Sequence, residues 1–117
     1  MKRILILEDD HNRITIFKSK LKRHDVYFFD QVNDAKQALQ LMEPFDYIFL
    51  DHDLDQQIYV PSEEKNTGWQ LAKFIAEELA YKPHIYIHSH NEDGVEKMKQ
   101  LLPNAEIIPF YILKTML

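Results

Sequence analysis

The stretch DYIFLDHDLDQ, residues 46–56, decides how this chain is read. Tyr47, Ile48, Phe49 and Leu50 form an unbroken apolar run of strand length, the pattern of a strand buried on both faces. The run passes directly into Asp51, His52, Asp53 and Asp55. A single acidic residue there would mark a strand leaving for solvent. Three carboxylates at alternate positions require a partner for their charge, and the rest of the chain must supply it.

The same design recurs on both sides. RILILE (residues 3–8) is a short apolar run that ends in Glu8, Asp9 and Asp10. VYFF (26–29), IYIH (85–88) and EIIPFY (106–111) read as further strands. Between them the apolar period changes to that of helices. Residues 12–23 carry Ile14, Phe17 and Leu21 on one stripe. Asn33 is placed to cap a helix bearing Ala35, Ala38, Leu39 and Met42, which Pro44 stops. Another helix starts near Thr67 with Leu71, Ile75 and Leu79 inward, and 93–102 carries Val95, Met98, Leu101 and Leu102. Strand–helix alternation with apolar strands means a three-layer α/β domain, a parallel sheet with helices on both faces. The reading is one domain over residues 1–117, with a long loop or lid at 52–66 after the third strand.

The totals narrow the function. A charge of −5 argues against a broad grip on duplex DNA or on anionic membrane, while leaving room for one local phosphate site. Without cysteine there is no disulfide or thiolate metal site. No apolar run approaches the ~20 residues of a membrane span, and the N-terminal run is too short for a signal peptide, so a cytoplasmic protein is expected. The two glycines, Gly68 and Gly94, form no glycine-rich phosphate loop.

Ligands of such sheets bind beyond the carboxyl ends of the strands. If the first and third strands are neighbours, Glu8, Asp9, Asp51 and Asp53 emerge on one edge. Two carboxylates ~4 Å apart at an effective dielectric of ~20 repel by roughly 4 kcal/mol, so the cluster must raise a pKa or acquire a cation. Oxygen ligands suit Mg²⁺, or Mn²⁺; Zn²⁺ suits them least. An EF-hand loop starting at Asp51 fails, because Gln56 stands where glycine is needed and Ser62 where glutamate is needed. HSHN supplies His88, Ser89, His90 and Asn91. The Ser89 hydroxyl could donate to a phosphoryl oxygen. His88 and His90 could share a metal, or sit half-buried on backbone hydrogen bonds. His52 and His88 are candidate proton carriers. Arg13, just behind the acids, could grip phosphate with its planar fork.

ILILEDD, IFLDHDL and IYIHS, each at a strand end, resemble the response-regulator receiver fold. The resemblance implies a flavodoxin-like sheet of five strands in the order 2-1-3-4-5. It implies Glu8 and Asp9 as the acidic metal pair and Asp51 as the phosphoacceptor. It also implies Asp53 as the residue lending a carbonyl to Mg²⁺, and Ser89 as the phosphoryl contact. The chain departs from receivers after the fifth strand, where IIPFYILK lacks their Lys-Pro and Lys114 lies too far on; a shortened or missing final helix is expected. EDDHNR, LDHDL, EEKNTGW and IHSHN…G…M more closely resemble the cyclic-phosphate processing receiver domains.

Two functions follow as expectations. One is a metal-dependent phosphoesterase acting on cyclic phosphate ends of RNA or on a phosphorylated small molecule. Asp51, His52, His88, Ser89 and Arg13 would then be catalytic, with Asn66, Thr67 and Asn91 holding the bound group. The other is a signalling receiver phosphorylated on Asp51 by a histidine kinase.

Overall fold

Five strands, β1 (Arg3–Leu7), β2 (Asp25–Phe29), β3 (Tyr47–Leu50), β4 (His84–Ile87) and β5 (Glu106–Ile107), alternate with five helices. The helices are α1 (His11–Lys20), α2 (Val32–Leu41), α3 (Gly68–Glu78), α4 (Glu92–Leu101) and α5 (Phe110–Met116). The computed structural model describes residues 1–54 and 60–117; Asp55 and Gln56 of the rejected EF-hand reading lie outside them. The sheet is wholly parallel in the order β2-β1-β3-β4-β5, as the resemblance implies. Strand order reverses between β1 and β3, which puts the switch point at the two acidic strand ends.

The apolar strands are buried on both faces because both are roofed by helices. On one side Leu5, Leu7, Ile48, Leu50 and Ile87 pack under α2, α3 and α4. On the other, Ile4, Ile6 and Phe49 meet Phe17 and Leu21 from the α1 side and Phe110 and Leu113 from α5. Phe17 is the centre of that second core, with ring contacts to Phe28, Phe49, His88 and Phe110. Burying each such side chain contributes about 1.5–3 kcal/mol.

Local sequence misplaces some boundaries. Helix α2 starts at Val32, not after Asn33, because its N-terminal amide is capped from a distance: Val32 N donates to Asn66 Oδ1 at 2.7 Å. Strand β5 stops at Ile107, because Pro109 brings no amide and its carbonyl opens α5 by accepting from Leu113 N. The final helix is present but short, seven residues. No helix among the described residues is long and apolar enough to cross a membrane.

Candidate functional site

The parallel ladder continues one residue past the strands. Glu8 N donates to Phe29 O, Asp51 N to Leu7 O, His88 N to Leu50 O and Ile108 N to Ile87 O, all within 2.9–3.1 Å. Glu8, Asp51, His88 and Ile108 therefore stand in one row along the carboxyl edge. Glu8 and His88 face each other across it, with His88 Nε2 2.9 Å from Glu8 Oε1. An ionised carboxylate only accepts, so Nε2 carries the proton and Nδ1 is left as a buried acceptor without a partner among the described residues. Burial holds His88 neutral, its pKa lowered to about 4.

Ligand oxygens of Glu8, Asp9 and Asp51 lie within 4.8 Å of one another. Glu8 is 1 % exposed and held in place: its Oε2 accepts from Asp9 N and Asp10 N. Burial and then the neighbouring Glu8 charge raise Asp51 to about 7, and burial raises Glu8 as well. The third acid of the run, Asp10, is used otherwise. It caps α1 by accepting from Arg13 N at 3.0 Å, and that fixes Arg13 in the first turn. The Arg13 guanidinium returns to the acids, 3.5 Å from Glu8 Oε1 and 3.9 Å from Asp51 Oδ2, with its plane carbon 5.2 Å from the centre of the Phe110 ring. Ile108 occupies the β5 place in the row and Lys114 is exposed on α5. The cation beside Asp51 thus comes from a helix.

The donor set fits a hard divalent ion. It is all carboxylate, two members are buried and one half-buried, and burial and the Glu8 charge push Asp51 up to about 7 in spite of Arg13. Asp53 is not part of this carboxylate set: its Oδ1 accepts from His52 Nδ1 (2.9 Å), Asn91 Nδ2 (3.0 Å) and Val60 N (3.1 Å).

Several candidate site residues turn out to brace the turn that carries Asp51. Both ring nitrogens of His52 are taken, by Asp53 and by Ser62 Oγ at 2.9 Å, so neither is left for a group bound at the acids. Thr67 is buried and its hydroxyl donates to Ser62 O and Glu64 O. Asn66 caps α2 and donates to Asp30 O. Asn91 caps α4 by accepting from Gly94 N at 2.9 Å. Both glycines serve the same turn: a Cβ on Gly68 would lie 1.9 Å from Asp51 O, and one on Gly94 2.5 Å from the His52 ring. Ser89 is half-buried at the rim, its Oγ accepting from Asn91 N, and His90 is exposed, so His88 and His90 do not share a direction. A groove of about 700 Å³ opens beside Ser89, between Val95, Lys99, Ile107 and Tyr111. Ser62 had no sequence pattern to mark it; its role follows from a loop folding back on His52.

A 2-1-3-4-5 parallel sheet with this acidic edge defines a receiver domain of the response-regulator type. More narrowly, the sequence profile of the cyclic-phosphate processing receiver domain matches residues 3–104, and the chain belongs to that family. Among solved structures it is similar to the response regulator Rcp1 in its Mn²⁺-bound form (TM-score 0.74, 19 % identity, 99 % of this chain and 91 % of that one). It is also similar to a phosphorylated cyanobacterial phytochrome response regulator, RcpA (TM-score 0.73, 20 % identity, 98 % and 90 %). A CheY-like receiver domain from Methylobacillus flagellatus aligns with TM-score 0.68 at 17 % identity over 99 % and 95 %. No curated protein matches the chain.

Proposed function

We propose that the domain is a divalent-cation-dependent phosphoacceptor in which Asp51 takes a phosphoryl group from a histidine kinase or a small phosphodonor. The observation that carries this reading is the buried Asp51 carboxylate, clustered with Glu8 and Asp9 and faced by the Arg13 guanidinium. An oxygen of ionised Asp51 attacks phosphorus and the bond to the donor breaks. The donor, phosphohistidine or acetyl phosphate, leaves as imidazole or acetate. Mg²⁺, or Mn²⁺, held by Glu8, Asp9 and Asp51 would neutralise charge on the phosphoryl oxygens. Arg13 replaces the strand-borne lysine of receivers as the fixed cation, and Ser89 is placed to donate its hydroxyl. His88 stays neutral and orients Glu8. The test is incubation with acetyl phosphate and Mg²⁺: one phosphoryl mass added to wild type, and none to Asp51→Asn, supports the reading.

The second reading, opening of a cyclic phosphate on an RNA end or a nucleotide, is favoured by the family's description and by the groove beside Ser89. Asp51, with its raised pKa, would take the proton of the attacking water as the water oxygen bonds to phosphorus. The bond from phosphorus to one ribose oxygen would break and that oxygen would take up the proton, while Arg13 and Ser89 hold the phosphate. Turnover of a 2′,3′-cyclic nucleotide with Mg²⁺, lost in Asp51→Asn and without a stable adduct on Asp51, would replace the first reading by this one.

A further inference from the structure

Asn91 lies outside the acidic cluster, yet it links the residues that follow Asp51 to the start of α4. Its amide donates to Asp53 Oδ1 at 3.0 Å and to Val60 O at 3.1 Å. Its backbone N–H donates to Ser89 Oγ at 3.1 Å, and its Oδ1 caps α4. Asp53 in turn holds His52, whose amide donates to Asp51 Oδ1 at 2.8 Å and whose ring rests on Gly94 of α4. Ser62, His52 and Asp53 stand in the order of a hydrolase relay, but Ser62 is 4 % exposed and His52 0 %, so no substrate reaches the hydroxyl. The cluster is enclosed, and what it joins is the Asp51 turn on one side and the first turn of α4 on the other.

We infer that Asn91 is a positioning residue, which acts through Asp53 and His52 to set the cation affinity of the Asp51 site and ties that affinity to the first turn of α4. This rests on the cation-dependent reading above. The physical ground is that a carboxylate ligand binds a hard ion well only if its carrier turn is already held. Groups that orient ligands in this way change metal affinity about 10–100-fold when removed. Coupling between the two places is reciprocal, so the ion must also steady α4.

Asn91→Ser separates this role from simple capping. Serine is as good a helix cap as asparagine, but it is too short to donate to Asp53 and Val60. Mg²⁺ alone, titrated calorimetrically at pH 8, is expected to bind Asn91→Ser about ten-fold more weakly than wild type. Amide exchange at Gly94 and Val95 is expected to slow on adding Mg²⁺ in wild type and to be unmoved by it in the variant. Asn91→Asp, which also keeps the cap and sets a like charge against Asp53, repeats the loss should Asn91→Ser fold poorly. Wild-type Mg²⁺ affinity in both variants overturns the inference, even if both are less stable in urea. So does α4 exchange in wild type that ignores Mg²⁺. Failure of acetyl phosphate to label Asp51 would remove the phosphoacceptor reading alone, since the titration and the exchange are read without it.

Discussion

Replacing Asp51 by asparagine should make the metal-free protein more stable while destroying its chemistry. Burial and Glu8 raise Asp51 from 3.8 to about 7. At about 1.4 kcal/mol per pKa unit, the ionised carboxylate costs the fold on the order of 4 kcal/mol. The sign follows from the direction of the shift. Below pH 4 the side chain is protonated in both states and costs nothing; the stability is lost progressively as pH rises from about 4 and is fully lost once pH has passed through 7. Asparagine keeps an oxygen for the His52 amide and carries no charge. At pH 8 in EDTA, Asp51→Asn should therefore exceed wild type by about 3 kcal/mol in urea unfolding, roughly 10 °C in melting temperature. Near pH 5 well under half of the gap should remain, and below pH 4 it should close. Saturating Mg²⁺ at pH 8 should raise wild type by about 2.7 kcal/mol at a hundred times Kd and the variant by much less. An Asp51→Asn protein no more stable than wild type at pH 8 refutes the claim that burial and the Glu8 charge outweigh the Arg13 pairing at Asp51.

Other outcomes follow from the same geometry. His88 runs opposite to Asp51: with its pKa lowered to about 4, stability falls as pH drops from 6.5 towards 4. In the Asp51→Asn background this acid loss should stand out at up to about 3 kcal/mol by pH-dependent unfolding, whereas Asp51 offsets it in wild type. Arg13→Ala should slow labelling of Asp51 by acetyl phosphate by about 100-fold, with Arg13→Lys restoring part of it, followed by mass spectrometry. Gly68→Ala should cost more than about 3 kcal/mol in urea unfolding, since its Cβ would sit 1.9 Å from the backbone oxygen of Asp51 and 2.9 Å from His52 Cα. Ser62→Ala should cost about 1–2 kcal/mol by leaving His52 Nε2 buried without its partner.

Much of this was legible in the chain because it depends on local pattern. The apolar runs ending in Glu8 and Asp51 announced buried parallel strands, and adjacency in the sheet then brought Glu8, Asp9 and Asp51 together. Missing lysine at the end of β5 was visible as well, and the register puts Ile108 in its place. What stayed hidden depends on chain segments folding back from a distance. Asn66, which looked like a ligand contact, caps α2 34 residues earlier in the sequence. His52 looked like a proton carrier because it adjoins Asp51, but adjacent residues at a strand end point to different sides, and its ring meets Ser62 and Gly94 instead. No spacing rule separates a histidine that serves a site from one that braces it.

Carrying the cation on α1 instead of on the sheet has one further effect. A strand residue inherits its position from the hydrogen-bond ladder, whereas the reach of Arg13 depends on how α1 lies on its bed. That bed is the Phe17 ring, wedged against Phe49, His88 and Phe110. Trimming this one hydrocarbon fulcrum, which bears no charge and meets no ligand, would let the helix settle and swing the arginine off its target. The proposed phosphoacceptor site would thereby be open to retuning from within the oily interior.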